Sequence, residues 1–78
     1  VTTEVLVSAD SIRAGDILIG VRDNLGRDTW WSKAVVVGGT RRDLDRKTLT
    51  VHLFGSTYGP EGYKWEPDPM WEGVYKLP

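Results

Sequence analysis

Seventy-eight residues with no cysteine and a formal net charge of −1 bound a single small domain over 1–78, without disulfide, zinc–thiolate or thiol-nucleophile chemistry. Ten Lys and Arg against 11 Asp and Glu lack the basic excess of a domain that lives mainly on phosphate contacts. No apolar run approaches the roughly 18–20 residues of a membrane span, the first residues show no signal-peptide pattern, and the missing cysteines suit an intracellular, reducing setting.

In chain order, Glu4-Val5-Leu6-Val7 is a short β-type run, and Ser8-Ala9-Asp10-Ser11 reads as a turn or one loose helical turn. Arg13-Ala14-Gly15-Asp16 turns the chain into the apolar strand Ile17-Leu18-Ile19-Gly20-Val21. Arg22 to Thr29 is polar, with Asn24 and Gly26 tolerant of positive φ, and reads as a loop. Trp30 to Val37 is the strongest strand, stopped by Gly38-Gly39. Thr40 to Arg46 turns back into the strand Lys47 to Phe54. Glycine and proline then dominate from Gly55 to Pro69, and short extended pieces around Tyr63-Lys64-Trp65 and Val74-Tyr75-Lys76-Leu77 close the chain. No stretch carries a 3.6-residue apolar period over ten or more positions. The expectation is an all-β fold, a small five-stranded barrel with little or no α-helix.

Alternation assigns faces. On Lys47 to Phe54, Leu49, Val51 and Leu53 form a core face, and Thr48, Thr50, His52 and Phe54 the other. On Trp30 to Val37, Lys33 is awkward inside, which favours Trp30, Ala34 and Val36 inward and leaves Trp31 outward, able to share a surface with Phe54 across the sheet. Eight aromatics are hard to hide in so small a core. A groove lined by Trp31 and Phe54, joined by Tyr58, Tyr63 or Trp65, is therefore the candidate peptide-binding surface. Asp28, Glu61, Glu66 and Asp68 are the acidic loop residues that would pair with a bound ammonium there.

The other constellations carry less chemistry. Arg41, Arg42, Arg46 and Lys47 cluster in one turn and, with Lys33, would supply nucleic-acid contacts, although Asp43 and Asp45 halve the local charge. His52 stands alone on its strand, so neither a metal site nor a nucleophile–base pair is expected, and no Gly-Lys-Ser/Thr element makes a phosphate loop. The sequence thus calls for a binding module without cofactor, not an enzyme.

Gly15-Asp16-Ile17-Leu18, then Trp30-Trp31-Ser32-Lys33-Ala34-Val35, then Val51-His52-Leu53-Phe54-Gly55-Ser56 resemble, in order and spacing, the Tudor and PWWP branch of the SH3-like barrels. The resemblance runs from about Ile12 to Thr57. It departs from the PWWP motif at Thr29 and Ser32, where that motif has prolines, and at Ile19-Gly20, where an aromatic is usual. It implies a chromatin reader, nuclear in location, that docks a methylated lysine of a histone-tail-like peptide on aromatic faces and touches DNA beside it. Trp31 matches the second tryptophan of the PWWP motif, and Phe54 the aromatic before glycine in Tudor domains. Phe54-Gly55-Ser56-Thr57-Tyr58-Gly59-Pro60-Glu61-Gly62 with Trp65-Glu66-Pro67 is similar to the DNA-gripping barrel modules of retroelement polyproteins and integrases. That likeness implies nucleic-acid binding or protein docking as the alternative.

Overall fold

The computed structural model describes residues 4–43 and 48–78, with side chains over 4–38 and 49–78. The chain is all-β. Six strands, β1 Val5–Val7, β2 Ile17–Arg22, β3 Asp28–Asp43, β4 Thr48–Gly55, β5 Gly59–Trp65 and β6 Gly73–Lys76, form one antiparallel sheet in the order β1-β6-β2-β3-β4-β5. Each extended piece legible in the sequence became a strand, so the number is six rather than five. The sheet is also not a closed barrel: β1 and β5 are its two edges, and among the described residues no pairing joins them.

The loose helical turn is a single 3-10 turn, Ala9–Ser11. Ser8 precedes it in an extended conformation and accepts the Asp10 amide on its hydroxyl oxygen at 3.4 Å. That arrangement occupies an amide otherwise left without a partner at a helix start. The Gly15-Asp16 pair enters β2 for a definable reason. Gly15 takes φ +97°, which an L side chain resists, and Asp16 accepts the Arg13 amide at 2.9 Å. The Gly15 amide then donates to Val36 O at 2.7 Å and the Val36 amide to Asp16 O at 2.9 Å, locking the turn onto β3.

The sheet bends at Ile19. Leu18 and Gly20 of β2 pair with consecutive residues of β6, Lys76 and Tyr75, so Ile19 is one residue too many on that side. On the other side Leu18 faces Ala34 and Gly20 faces Trp30, so Ile19 alone stands against Trp31, Ser32 and Lys33. An extra residue reverses the alternation beyond it. Leu18 and Val21, three apart, therefore both face inward, where they meet Ile12, Ala34, Val36, Val51, Leu53 and Val74 in one buried cluster. The inward face foreseen for β4 holds, with Val51 and Leu53 fully buried and Leu49 packed against them.

The same irregularity overturns the assignment of the tryptophan pair. Trp30 is 52% exposed, and it is Trp31 that packs against the core. Trp30 lies over Gly20 and stacks on Tyr75, ring centroids 4.5 Å apart. The register sets these three residues side by side on the outer face. Gly38-Gly39 also fails to stop β3, which continues to Asp43 with register shifts around Gly38.

A methyl group at residue 20 would meet Thr29 O at 2.5 Å and Trp30 Cε3 at 2.9 Å. Gly20→Ala should therefore destabilise the fold by about 1–3 kcal/mol, the usual cost of overpacking. The measurement is the urea midpoint. Because Trp30 rests on that spot, indole fluorescence should change in the folded baseline as well.

Candidate functional site

Turning Trp31 inward places it at the centre of a row of rings. Tyr58 comes from the β4–β5 turn, Tyr63 and Trp65 from β5, and Trp71 from the segment between β5 and β6. Tyr63 and Trp65 pair with Leu53 and Val51, which puts both on the core side of the sheet's edge strand. In order along the row, Tyr63 stacks on Tyr58 with centroids 5.7 Å apart, and Tyr58 meets Trp31 edge-on at 6.3 Å. Trp31 meets Trp65 edge-on at 5.1 Å, and Trp65 leans on Trp71 at 5.7 Å. Such pairs are each worth about 0.5–1.5 kcal/mol beyond the area they bury. Tyr58, Trp31, Trp65 and Trp71 also pack against the core and are half-buried, whereas Tyr63 at the far end is 56% exposed. Burial raises the Tyr58 phenol above its ordinary pKa, with Tyr63 adding to it.

The geometry has a chemical consequence. Attraction between a cation and a ring extends to about 6 Å from the ring centroid. Trp31 and Trp65 stand only 5.1 Å apart and perpendicular, so each ring fills the space beside the other and no cage opens between them. Along the chain from Gly59 to Asp68 acidic residues outnumber basic ones. Glu61 on β5 and Glu66 and Asp68 after it are exposed, against Lys64 as the cation of that stretch.

At its Trp71 end the row opens on a recess of about 140 Å³. Leu49, Pro67, Pro69 and Trp71 provide its apolar walls, and Asp10, Asp68 and Glu72 lie around it with Ser8 and Ala9. Asp68 is fixed by its role in the turn: its Oδ1 accepts the Met70 amide at 2.9 Å, and its carbonyl accepts the Trp71 amide at 3.0 Å. Trp71 and this recess are absent from the sequence-based set. The signal that could have found them is the alternation Pro67-Asp68-Pro69 before Trp71, a stiff segment that returns an indole to the sheet.

Phe54 does not join Trp31. It pairs with Val35 on the face opposite Leu53, is 43% exposed, and among the described residues contacts no other ring. With Gly55, Ser56, Gly59 and Pro60 it lines a separate shallow recess of about 410 Å³. The physical reason is again the reversed alternation: the strand bearing Phe54 keeps its parity while β3 loses it at Trp31. Of the basic set, Lys33 is exposed beside the β3 irregularity. Arg41 and Arg42 pair through their backbones with Thr50 and Leu49. Arg46 and Lys47, like the side chains of Arg41 and Arg42, lie outside the described residues. His52 is half-buried on β4, and among the described residues no three His, Asp or Glu side chains are grouped to hold a metal ion. No described helix is long and apolar enough to cross a membrane.

On the outer face a second aromatic unit is held by charge. The Arg22 guanidinium lies 5.6 Å from the Tyr75 ring centroid, and its Nε donates to Asp28 Oδ1 at 2.9 Å. The Tyr75 hydroxyl donates to the same oxygen at 2.9 Å. The Arg22 hydrogen bond, helped by that hydroxyl, holds the Asp28 carboxyl below its ordinary pKa although desolvation opposes it. Desolvation and then the bond to Asp28 raise the Tyr75 phenol. In the loop below, the Arg27 amide draws Asp23 down as well, with the Leu25 amide and the Arg27 side chain contributing.

Comparisons with family models, curated proteins and solved structures find no match for this chain.

Because Asp23 and Asp28 are depressed in the folded state, their contribution to stability is complete above the unfolded carboxylate pKa of about 3.9 and is lost as pH falls through the folded values. Thermal melts should show a falling midpoint below about pH 4. Asp28→Asn should melt lower than the parent at pH 7, with the gap closing towards pH 2–3. A gap that is constant with pH would mean that the carboxylate charge is irrelevant there.

Proposed function

We propose that the chain is a non-catalytic binding module of chromatin-reader type, which docks a basic, lysine-bearing peptide of the histone-tail kind along the row from Tyr63 to Trp71. The observation that carries this reading is the row itself: five rings in unbroken contact, sealing the core on one side and meeting solvent on the other, within a stretch where acidic side chains outnumber basic ones. Tyr63, 56% exposed, is the ring of the row most open to a partner. Indole and phenol faces attract an ammonium by about 0.5–1 kcal/mol at exposed sites and about 2 kcal/mol where water is excluded. Methylation disperses the ammonium charge and lowers the cost of desolvating it, so a methylated lysine is the better guest. The likeness of Gly15-Asp16 and Trp30-Trp31 to Tudor and PWWP barrels points the same way, although Phe54, which that likeness would place beside Trp31, stands on the opposite face. Within it the role assigned to Phe54 passes to Tyr58 and Trp65.

The test is a tryptophan-fluorescence titration with one basic peptide carrying lysine, trimethyl-lysine or norleucine at a single position. The expected order of affinity is trimethyl-lysine, then lysine, then norleucine. Tyr63→Ala should weaken the trimethylated peptide by about two- to fivefold, and Phe54→Ala should leave it unchanged. Equal affinity for the three peptides would sink the reading.

A further inference from the structure

We infer that the outer face around Phe54 is a self-association surface, on which a second copy of this chain docks about a two-fold axis. The inference is independent of the peptide-docking reading, because it concerns the face opposite the aromatic row. An antiparallel sheet with one face on the core ordinarily turns polar side chains outward on the other. Here apolar side chains occupy the outer face across three neighbouring strands. Ile17 of β2 pairs with Val35 of β3, and Val35 with Phe54 of β4, on the side away from Leu18, Ala34 and Leu53. Val37 extends the patch at 50% exposure, and Phe54 itself is 43% exposed. Beside Phe54 the shallow recess of about 410 Å³ opens against Gly55, Gly59 and Pro60. Arg41 to Asp43 pair with Thr48 to Thr50 at the far end of β4, about 14 Å along the strand from Phe54, so described residues frame the centre of the patch.

The charges around the patch identify the occupant. Lys33, two residues before Val35 on β3, and Glu61, next to Pro60 on β5, are both exposed and belong to the strands either side of β4. Among the described residues neither forms an ion pair. Asp16, beside Ile17, is by contrast engaged within the chain by Lys76 at 3.6 Å and by the Arg13 amide. An acidic partner would satisfy Lys33 and oppose Glu61, and a basic partner the reverse. A second copy satisfies both. Rotation by 180° about an axis lying along β4 above Phe54 exchanges the two flanking strands. Lys33 of each copy then comes to the Glu61 side of the other, and the two Phe54 rings meet at the centre. One patch serves both copies, as a closed two-fold interface requires. Sheets packed face to face in this way lie about 10 Å apart, with their side chains interdigitated. So short a chain buries little of its surface alone, and association is one of the ways small domains make up the difference. The aromatic row, on the other face, stays open in the pair.

The test is sedimentation equilibrium of the whole chain from about 10 μM to about 1 mM, without peptide. The apparent mass should rise with concentration towards that of two chains. Phe54→Ser should remain a single chain over that range, with its fold confirmed by the amide spectrum. Lys33→Glu and Glu61→Lys, each alone, set like charges together twice per interface and should weaken association by about five- to twentyfold. Mixing those two variants in equal amounts restores both opposite-charge contacts and should return the affinity to within about twofold of the parent. A parent chain that stays single at about 1 mM overturns the inference and leaves the patch to a partner of another kind. Association that ignores Phe54→Ser, or charge variants that do not rescue one another, overturns it as well.

Discussion

One extra residue in β2 governs this molecule. Ile19 has no single partner on either side, and the sheet accommodates it by bending and by reversing which side chains face in. Before the reversal Leu18 faces the core with Ala34, and after it Val21 does so with Val74. Without it, a strand of alternating parity would send Val21 to solvent and Gly20 inside. The sheet would then lose a core residue and gain nothing to pack. The core of this 78-residue chain is small, and one misplaced valine is a large fraction of it.

The two tryptophans depend on the same event. Trp30 goes outside, where only a glycine at residue 20 lets its ring reach Tyr75. Trp31 goes inside, where it links Tyr58 to Trp65 and so joins the β4–β5 turn to the edge strand. Each face of the sheet thus carries its own aromatic unit. The outer one is small and tied down by Arg22 and Asp28. The inner one is long, reaches the sheet's edge and ends beside an acidic recess. The two units differ in extent, the inner one joining five rings and the outer one two.

The edge position matters as well. Among the described residues β5 pairs on one side alone, and its glycines and Pro60 interrupt the regular ladder that would invite another strand. What β5 offers a partner is side-chain surface, Tyr63 and Trp65, more than backbone. Recognition by rings and carboxylates is consistent with an edge whose backbone is blunted.

The sequence by itself determined the all-β class, all six extended pieces, the loose turn at Ala9–Ser11 and the core face of β4. These follow from local composition: β-branched runs, turn residues and, on β4, an unbroken period of two. It also named Tyr58, Tyr63 and Trp65 as rings that could join Trp31, but around an outward Trp31–Phe54 pair, because so many rings cannot all be hidden in a small core. Only the tertiary structure decided which tryptophan of the pair faces in, that Phe54 stands on the other wall, and that Trp71 completes the row. Alternation can be read along a strand only while its partners keep step. Whether they do depends on the count of residues in neighbouring strands, a property of the pairing that no single segment contains.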